Sequence, residues 1–408
     1  MGEKSYHSDR RSKVSRRAVL KRGLASSIVG VGGLTGQVAA AERSTGGNTE
    51  ITIVARGDEP VVTQTVPRAW YEHVSAVDRA ARVLADRFVG TQGVEHLRRV
   101  RTEGNIEGHG RLGVAVLVGD DGAADSIPAE INGVSVEARH AKPQTFTDDL
   151  GNVGSTSCTT ESGKEEEESS IPGGVAVKPN SDKQPTTTTC KARKNGTDYL
   201  LTCAHMLFDG GSVCDGFGEQ IYSEIIHPTS ETTDQIIGNV VETSTAEYDY
   251  ALAEATEEIS SVSRDIDGYS GSVSGHVTAD GFSYLLSNND SETLYRSGIK
   301  TGLSEGPVTA VSFDDQITWK WGECSRGHRF ECDVGVIGGD SGGTFFFPYY
   351  EAGSLKLAVA GIQSTGKDKN LPDHDNDCTT FDESVAIRAD QLHEQKGIDF
   401  YGFGRGGY

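Results

Sequence analysis

The chain is poor in positive charge, aromatic residues and long apolar runs. Lys and Arg number 38 against 60 Asp and Glu, so the formal charge of the 408 residues is −22. Such a surface repels phosphate backbones and anionic headgroups, which excludes nucleic acid or a charged membrane surface as the main partner. Aromatic residues make up 7% and hydrophobic residues 35%, low values that still suffice for a core in a chain this long. No Cys-x-x-Cys pair occurs, which argues against a structural zinc site. Only one stretch, residues 23–41, is long enough to span a bilayer, and its Gly and Ser content makes it weakly apolar. Glycine, by contrast, is abundant at 51 residues, which favours tight turns over long helices.

The charge is unevenly placed. Up to position 41 the chain holds eight basic and two acidic side chains, a net of +6 that leaves −28 on the remainder. Ser15-Arg16-Arg17-Ala18-Val19-Leu20-Lys21, the weakly apolar stretch and Ala39-Ala40-Ala41 together read as a twin-arginine export signal ending in a small-residue cleavage site. A membrane anchor is the alternative. After signal removal no membrane contact is expected, and the product is expected outside the cell. Repulsion of this strength is best tolerated where salt screens it, which points to a salty exterior. The seven cysteines (158, 190, 203, 214, 324, 332, 378) then reach an oxidising medium, and their odd number leaves at least one without an intrachain partner.

Residues 42–150 read as a small α+β unit. Ile51–Val54, Val61–Val66, Leu112–Val118 and Val134–Ala138 have strand character. Apolar positions such as Val74, Val77, Ala80, Leu84 and Phe88 predict a helix from Trp70 to about Arg99. A short helix is expected between the last two strands. Residues 151–170, with Lys164-Glu165-Glu166-Glu167-Glu168, should bury nothing and form an acidic flexible linker. Residues 171–408 read as many short strands: 186–193, 199–203, 271–278, 293–299, 307–313 and 357–363. Asn195-Gly196 is a hairpin turn between the first two, and a helix is expected only near 387–395.

Chemistry concentrates in this last segment. Gly338-Gly339-Asp340-Ser341-Gly342-Gly343 sets a serine among glycines, where a tight turn exposes its hydroxyl. The N–H groups of Gly339 and Ser341 can then converge on a developing oxyanion. A serine hydroxyl is inert until a base removes its proton, and an imidazole base needs a carboxylate to fix its tautomer. Leu200-Leu201-Thr202-Cys203-Ala204-His205 supplies a histidine at the end of an apolar strand. Tyr248-Asp249-Tyr250-Ala251-Leu252 supplies an aspartate at the head of another. Asp234 is the nearest rival but lacks the Ala-Leu continuation.

The order His205, Asp249, Ser341, with separations of 44 and 92 residues, resembles the chymotrypsin-like serine endopeptidases. Two further words extend the resemblance. Gly361-Ile362-Gln363-Ser364-Thr365-Gly366 looks like the family's substrate-pairing strand, and Tyr295-Arg296-Ser297-Gly298 is similar to streptogrisin-like members. Together with the acidic composition, this implies a haloarchaeal source. The resemblance covers about residues 171–408. It implies an all-β catalytic domain of two six-stranded antiparallel barrels with a C-terminal helix, preceded by residues 42–150 as an α+β pro-domain bound in cis. The implied substrate is a peptide or protein, with no cofactor and no metal. Gly335 would floor the specificity pocket, with Ser364 and Gly366 along its wall. With no carboxylate at Gly335 a basic preference is unsupported, although Asp333 is near, and apolar or aromatic side chains would suit.

Asp340 needs a cationic partner. In similar enzymes this is either an internal arginine, here Arg296, or a new amine released by cleavage, for which Ile171-Pro172-Gly173-Gly174 is a candidate. Arg296 is the better fit, because Pro172 and the acidic stretch make a poor activation site. Met206 stands where the family usually has cysteine. Cys190 is expected to bridge Cys203 or, failing that, Cys214, and Cys324 to bridge Cys332. Asp373, Asp375 and Asp377 alternate as in a calcium loop, but Cys378 and Ser384 occupy the positions that would need glycine and glutamate, so an acidic surface loop is preferred. The competing reading is a protease-fold binding or inhibitory protein without activity.

Overall fold

The structure is a computed structural model. It describes residues 47–88, 93–119, 121–140, 144–146, 164–165, 169–181, 185–208, 211–212, 216–217, 222–228, 235–244, 247–257, 259, 261–313, 328–367 and 380–401. The export signal, Asp234, the Asp373–Asp377 loop and cysteines 158, 214, 324 and 378 lie outside these residues.

Strands dominate. Six of them close into a barrel: Ala176–Pro179, Thr186–Lys194, Thr197–Thr202, Glu224–His227, Gln235–Thr243 and Ala251–Ala255. Its interior is apolar, with Val177, Leu200, Ile225, Ile237, Ala251 and Ala253 buried together. Asn195, in the left-handed region at φ 52°, and Gly196 make the expected hairpin turn.

The second expected barrel is not seen as a closed unit. Its strands, including Tyr269–Val277, Leu294–Gly298, Val308–Ser312, Thr344–Glu351, Ser354–Lys367 and Glu383–Arg388, belong to a sheet of 17 strands that also takes in strands from the first third of the chain. Val54 and Ala55 pair with Val277 and His276, while Arg98, Arg99 and Val100 pair with Ser312, Val311 and Ala310. One apolar core runs through both regions, with Trp70, Leu84, Leu97 and Val116 packed in the same cluster as Phe282, Phe330 and Phe345. Residues 46–408 accordingly form one compact unit.

Three local expectations need correction. The first helix spans Arg68–Phe88 and stops there; Arg99 lies in the strand Val94–Ile106, which pairs along His109–Val118. A helix at Ala279–Ser287 was not foreseen. Thr278 caps it, its hydroxyl oxygen accepting from Gly281 N at 3.0 Å. Lys164, placed in a linker expected to bury nothing, is 3% exposed and ion-pairs Asp267 at 2.6 Å. The C-terminal helix is Ala389–Lys396, starting after the strand Glu383–Arg388 ends and closing on Gly397 at φ 65°.

Candidate active site

Pairing of two barrel strands brings the base and its carboxylate together. Thr197–Thr202 and Ala251–Ala255 run antiparallel, with Thr202 opposite Ala251 and Leu201 opposite Leu252. The end of the first strand therefore lies beside the start of the second. His205 follows the first, opening a 3-10 turn, and Asp249 precedes the second. His205 Nδ1 lies 3.0 Å and 2.9 Å from the two Asp249 oxygens. Asp249 is fully buried and accepts three further bonds, from Ala204 N at 3.1 Å, His205 N at 3.0 Å and Ser364 Oγ at 2.5 Å. Such a carboxylate has its charge balanced by donors rather than by water. Asp249 holds φ at 40°, an uncommon value for a residue with a side chain and one that tends to occur at functional sites.

Ser341 sits in the turn between Val336–Ile337 and Thr344–Glu351. Gly342 N donates to Gln363 O and Gln363 N to Gly343 O, both at 2.8 Å, which ties the turn to the strand Ser354–Lys367. Ser341 Oγ lies 3.5 Å from Ser364 O, so Ser364 touches both the serine and, through its hydroxyl, Asp249. Ser341 is wholly buried in this chain. Gly339 and Gly342 have φ of 100° and 83°, and a Cβ on Gly342 would overlap Thr187 O. The glycines are thus required by backbone sterics.

Behind the turn, Asp340 is also fully buried. Its Oδ1 accepts from Lys300 N at 2.9 Å and Thr301 N at 3.2 Å. Its Oδ2 accepts from Thr301 Oγ1 at 2.9 Å, Ile337 N at 3.1 Å and Arg296 Nη2 at 3.3 Å. Arg296 also bonds Gly335 O at 2.9 Å, Ser384 Oγ at 3.1 Å and the Thr301 hydroxyl. Burial holds the Arg296 pKa below its ordinary value, and Asp340 opposes this only in part. Ile171, the candidate for a released amine, is instead buried within the strand Ser170–Gly173, beside Val262.

The run Thr186–Thr189 also holds the serine turn, a role no motif announces. Thr187 Oγ1 donates to Gly339 O at 2.9 Å and accepts from Ile299 N at 3.2 Å. Thr187 N donates to Ser341 O at 2.8 Å, and Thr189 Oγ1 donates to Gly342 O at 2.6 Å. These buried threonines fasten the serine turn to the closed barrel. Four successive threonines were the available signal, but strand propensity explains them equally well.

The cysteine expectations fare differently. Cys190 is a buried free thiol rather than half of a bridge to Cys203. It packs with Leu201 and Ile362, whereas Cys203 packs in the barrel interior with Leu200 and Ile225, on a different core. Burial pushes the Cys190 thiol pKa far above its ordinary value. Cys332 Sγ donates to Gly306 O at 3.3 Å.

The pocket residues lie close to the turn. Ser384 pairs with Gly366 across neighbouring strands, and Arg296 holds the Gly335 carbonyl from behind. The edge Thr365–Lys367 is itself occupied: Phe146, Thr145 and Gln144 pair antiparallel with Thr365, Gly366 and Lys367. Close by, Arg98 from the first third of the chain and Lys367 both ion-pair the buried Glu331. Among the described residues no group of three metal-ligating side chains occurs, and no helix is long and apolar enough to cross a membrane.

No protein-family profile matches the chain, and no curated protein sequence matches it. Solved structures do. A glutamic-acid-specific serine protease, described as using a novel histidine triad in substrate binding, is 18% identical, with a TM-score of 0.38 over 57% of this chain and 100% of that one. Cellulomonas bogoriensis chymotrypsin is 16% identical, with a TM-score of 0.35 over 57% of this chain and 98% of that one. Thermobifida fusca protease A is 16% identical, with a TM-score of 0.33 over 56% of this chain and 97% of that one. The structural neighbours are chymotrypsin-like serine proteases. At these identities and scores the likeness carries no functional weight, which rests on the geometry above.

Proposed function

We propose that the chain is the precursor of an exported serine endopeptidase. The observation that carries this reading is the Asp249 carboxylate, bonded at once to His205 Nδ1 and to Ser364, whose carbonyl lies against Ser341 Oγ. In the proposed reaction His205 Nε2 takes the Ser341 proton as Oγ attacks the substrate carbonyl. The C–N bond breaks as the imidazolium returns that proton to the leaving amine. Water then attacks the acyl ester, giving its proton to His205, and Ser341 leaves with that proton restored. The N–H groups of Gly339 and Ser341 hold the oxyanion. Asp249 keeps His205 in the required tautomer and offsets its transient charge. Asp340, with Arg296, holds the turn in shape.

Export through the twin-arginine route, a streptogrisin-like catalytic segment from residue 171, a haloarchaeal source and a pro-region bound in cis complete the proposal. The last point is supported by the pairing of Gln144–Phe146 along Thr365–Lys367 and by the burial of Ser341. The same two observations favour one alternative, a protease-fold protein that stays closed and inactive. A fluorophosphonate probe separates them: the processed, secreted chain should label at Ser341, and S341A should not. Absence of label on the processed wild type would leave the inactive reading standing.

A further inference from the structure

An aromatic ring packs against Gly366, one of the two glycines expected to wall the specificity pocket. Gly366 lies on the strand Ser354–Lys367, two residues beyond Ser364, whose carbonyl touches the Ser341 hydroxyl. A Cβ built on Gly366 would fall 2.6 Å from Phe381 Cδ2 and 2.7 Å from Phe381 Cβ, so the ring lies directly against the Gly366 backbone. The Phe381 carbonyl lies 3.6 Å from where a Cβ on the exposed Gly335 would stand, and the Phe381 backbone pairs with Val336. Phe381 is 6% exposed yet belongs to none of the apolar core clusters. The Arg296 guanidinium bonds Gly335 O and Ser384 Oγ, which fixes the backbone beside this ring.

The strand that a peptide would pair with runs past this ring. Gln144–Phe146 shows the direction, antiparallel on Thr365–Lys367. A peptide held this way continues past the level of Thr365 toward Ser364, whose carbonyl touches the Ser341 hydroxyl. Along this path the peptide passes Gly366, against which the Phe381 ring packs. We propose that Phe381 is a specificity-determining residue, and that the enzyme cleaves after small side chains such as Ala, Ser or Thr. This rests on the endopeptidase reading and replaces the apolar or aromatic preference expected from glycine walls alone.

The test uses the processed enzyme and a peptide series differing only in the residue before the scissile bond: Ala, Leu, Phe, Glu or Arg. Wild type should favour Ala over Phe by a factor on the order of 100 in kcat/KM. F381A should gain on Leu and Phe relative to Ala by a factor on the order of 10–100 and should still take a fluorophosphonate label. F381L, which keeps an apolar side chain should the alanine variant fail to fold, is expected to fall between the two. A wild type that prefers Phe, Glu or Arg overturns the inference, as does a labelled F381A or F381L with an unchanged profile. A processed wild type that takes no fluorophosphonate overturns the endopeptidase reading, and this inference falls with it.

Discussion

Arg296 Nη2 lies 3.3 Å from Asp340 Oδ2, and both side chains are shut off from water. The pair joins the strand Leu294–Gly298 to the turn that carries Ser341. Removing one partner of a buried pair leaves an uncompensated charge, at a cost of about 3–5 kcal/mol. R296A should therefore lose fluorophosphonate labelling and peptide hydrolysis while export continues. R296K should not restore them, because one ammonium cannot reach Asp340, Gly335 O and Ser384 together. Retained activity in R296A would show that the turn keeps its shape without this pair.

Ser364 donates to Asp249 at 2.5 Å, one of the donors holding that carboxylate. A hydrogen bond to a charged group is worth about 1.5–3 kcal/mol. S364A should lower kcat/KM by a factor on the order of 10–100, with KM little changed. D249N, which offers His205 the wrong tautomer, should cost on the order of 10⁴. Equal losses in the two variants would mean that S364A disturbs the strand rather than the carboxylate.

What could be read from the sequence follows from how local each constraint is. The serine turn is legible because backbone sterics at Gly339 and Gly342 demand glycine, and the spacing to Ser341 is rigid. His205 and Asp249 are legible because each ends or begins an apolar strand. That these strands are neighbours is a long-range fact, and only the structure supplies it. The run Thr186–Thr189 hid its role because its bonds reach across more than a hundred residues to Gly339 and Gly342. The helix Ala279–Ser287 was lost among the strands on either side, although Thr278 is a recognisable cap. The Cys190–Cys203 expectation failed because closeness in sequence across a hairpin does not put two side chains on the same core.

His276 gives the chain an acid limit. It is 3% exposed, pairs with Ala55, and its ring lies 4.7 Å from that of His393, whose ring nitrogens lie 3.3 Å from Asp58 and 2.9 Å from Asp399. Burial, aided by His393 and opposed by Asp58, pushes its pKa from the ordinary 6.5 down to about 3. Between these values the unfolded chain binds the proton and the folded chain does not. Stability is therefore complete above pH 6.5 and falls toward pH 3, by at most about 1.4 kcal/mol per pH unit. H276F should flatten that slope in Tm measured from pH 7 to pH 4; an unaltered slope would assign the acid limit to other groups.

Thr187 is one of the two threonines whose hydroxyls tie the barrel to the serine turn. T187V keeps the side-chain shape but removes the bond to the Gly339 carbonyl and leaves the buried Ile299 N–H unsatisfied. Each unsatisfied group costs about 1–3 kcal/mol. The variant should lose Tm and a larger share of kcat than of substrate affinity. T187S, which restores both bonds, should recover both. Recovery of Tm without kcat would detach the turn from this support.

The pairing of Thr145 with Gly366 makes the closed state of the full-length chain testable through the backbone alone. Proline has no N–H to give to the ladder, and its ring resists strand pairing. T145P should loosen Gln144–Phe146 from Thr365–Lys367 without touching His205, Asp249 or Ser341. The freshly folded, uncleaved chain should then react with a fluorophosphonate several-fold faster than wild type, and S341A in the same background should stay unlabelled. Processed T145P and wild type should have equal kcat/KM, since the segment is no longer in the cleft. Equal labelling of the two uncleaved chains would mean that the segment does not guard the serine, and that the burial of Ser341 has another source.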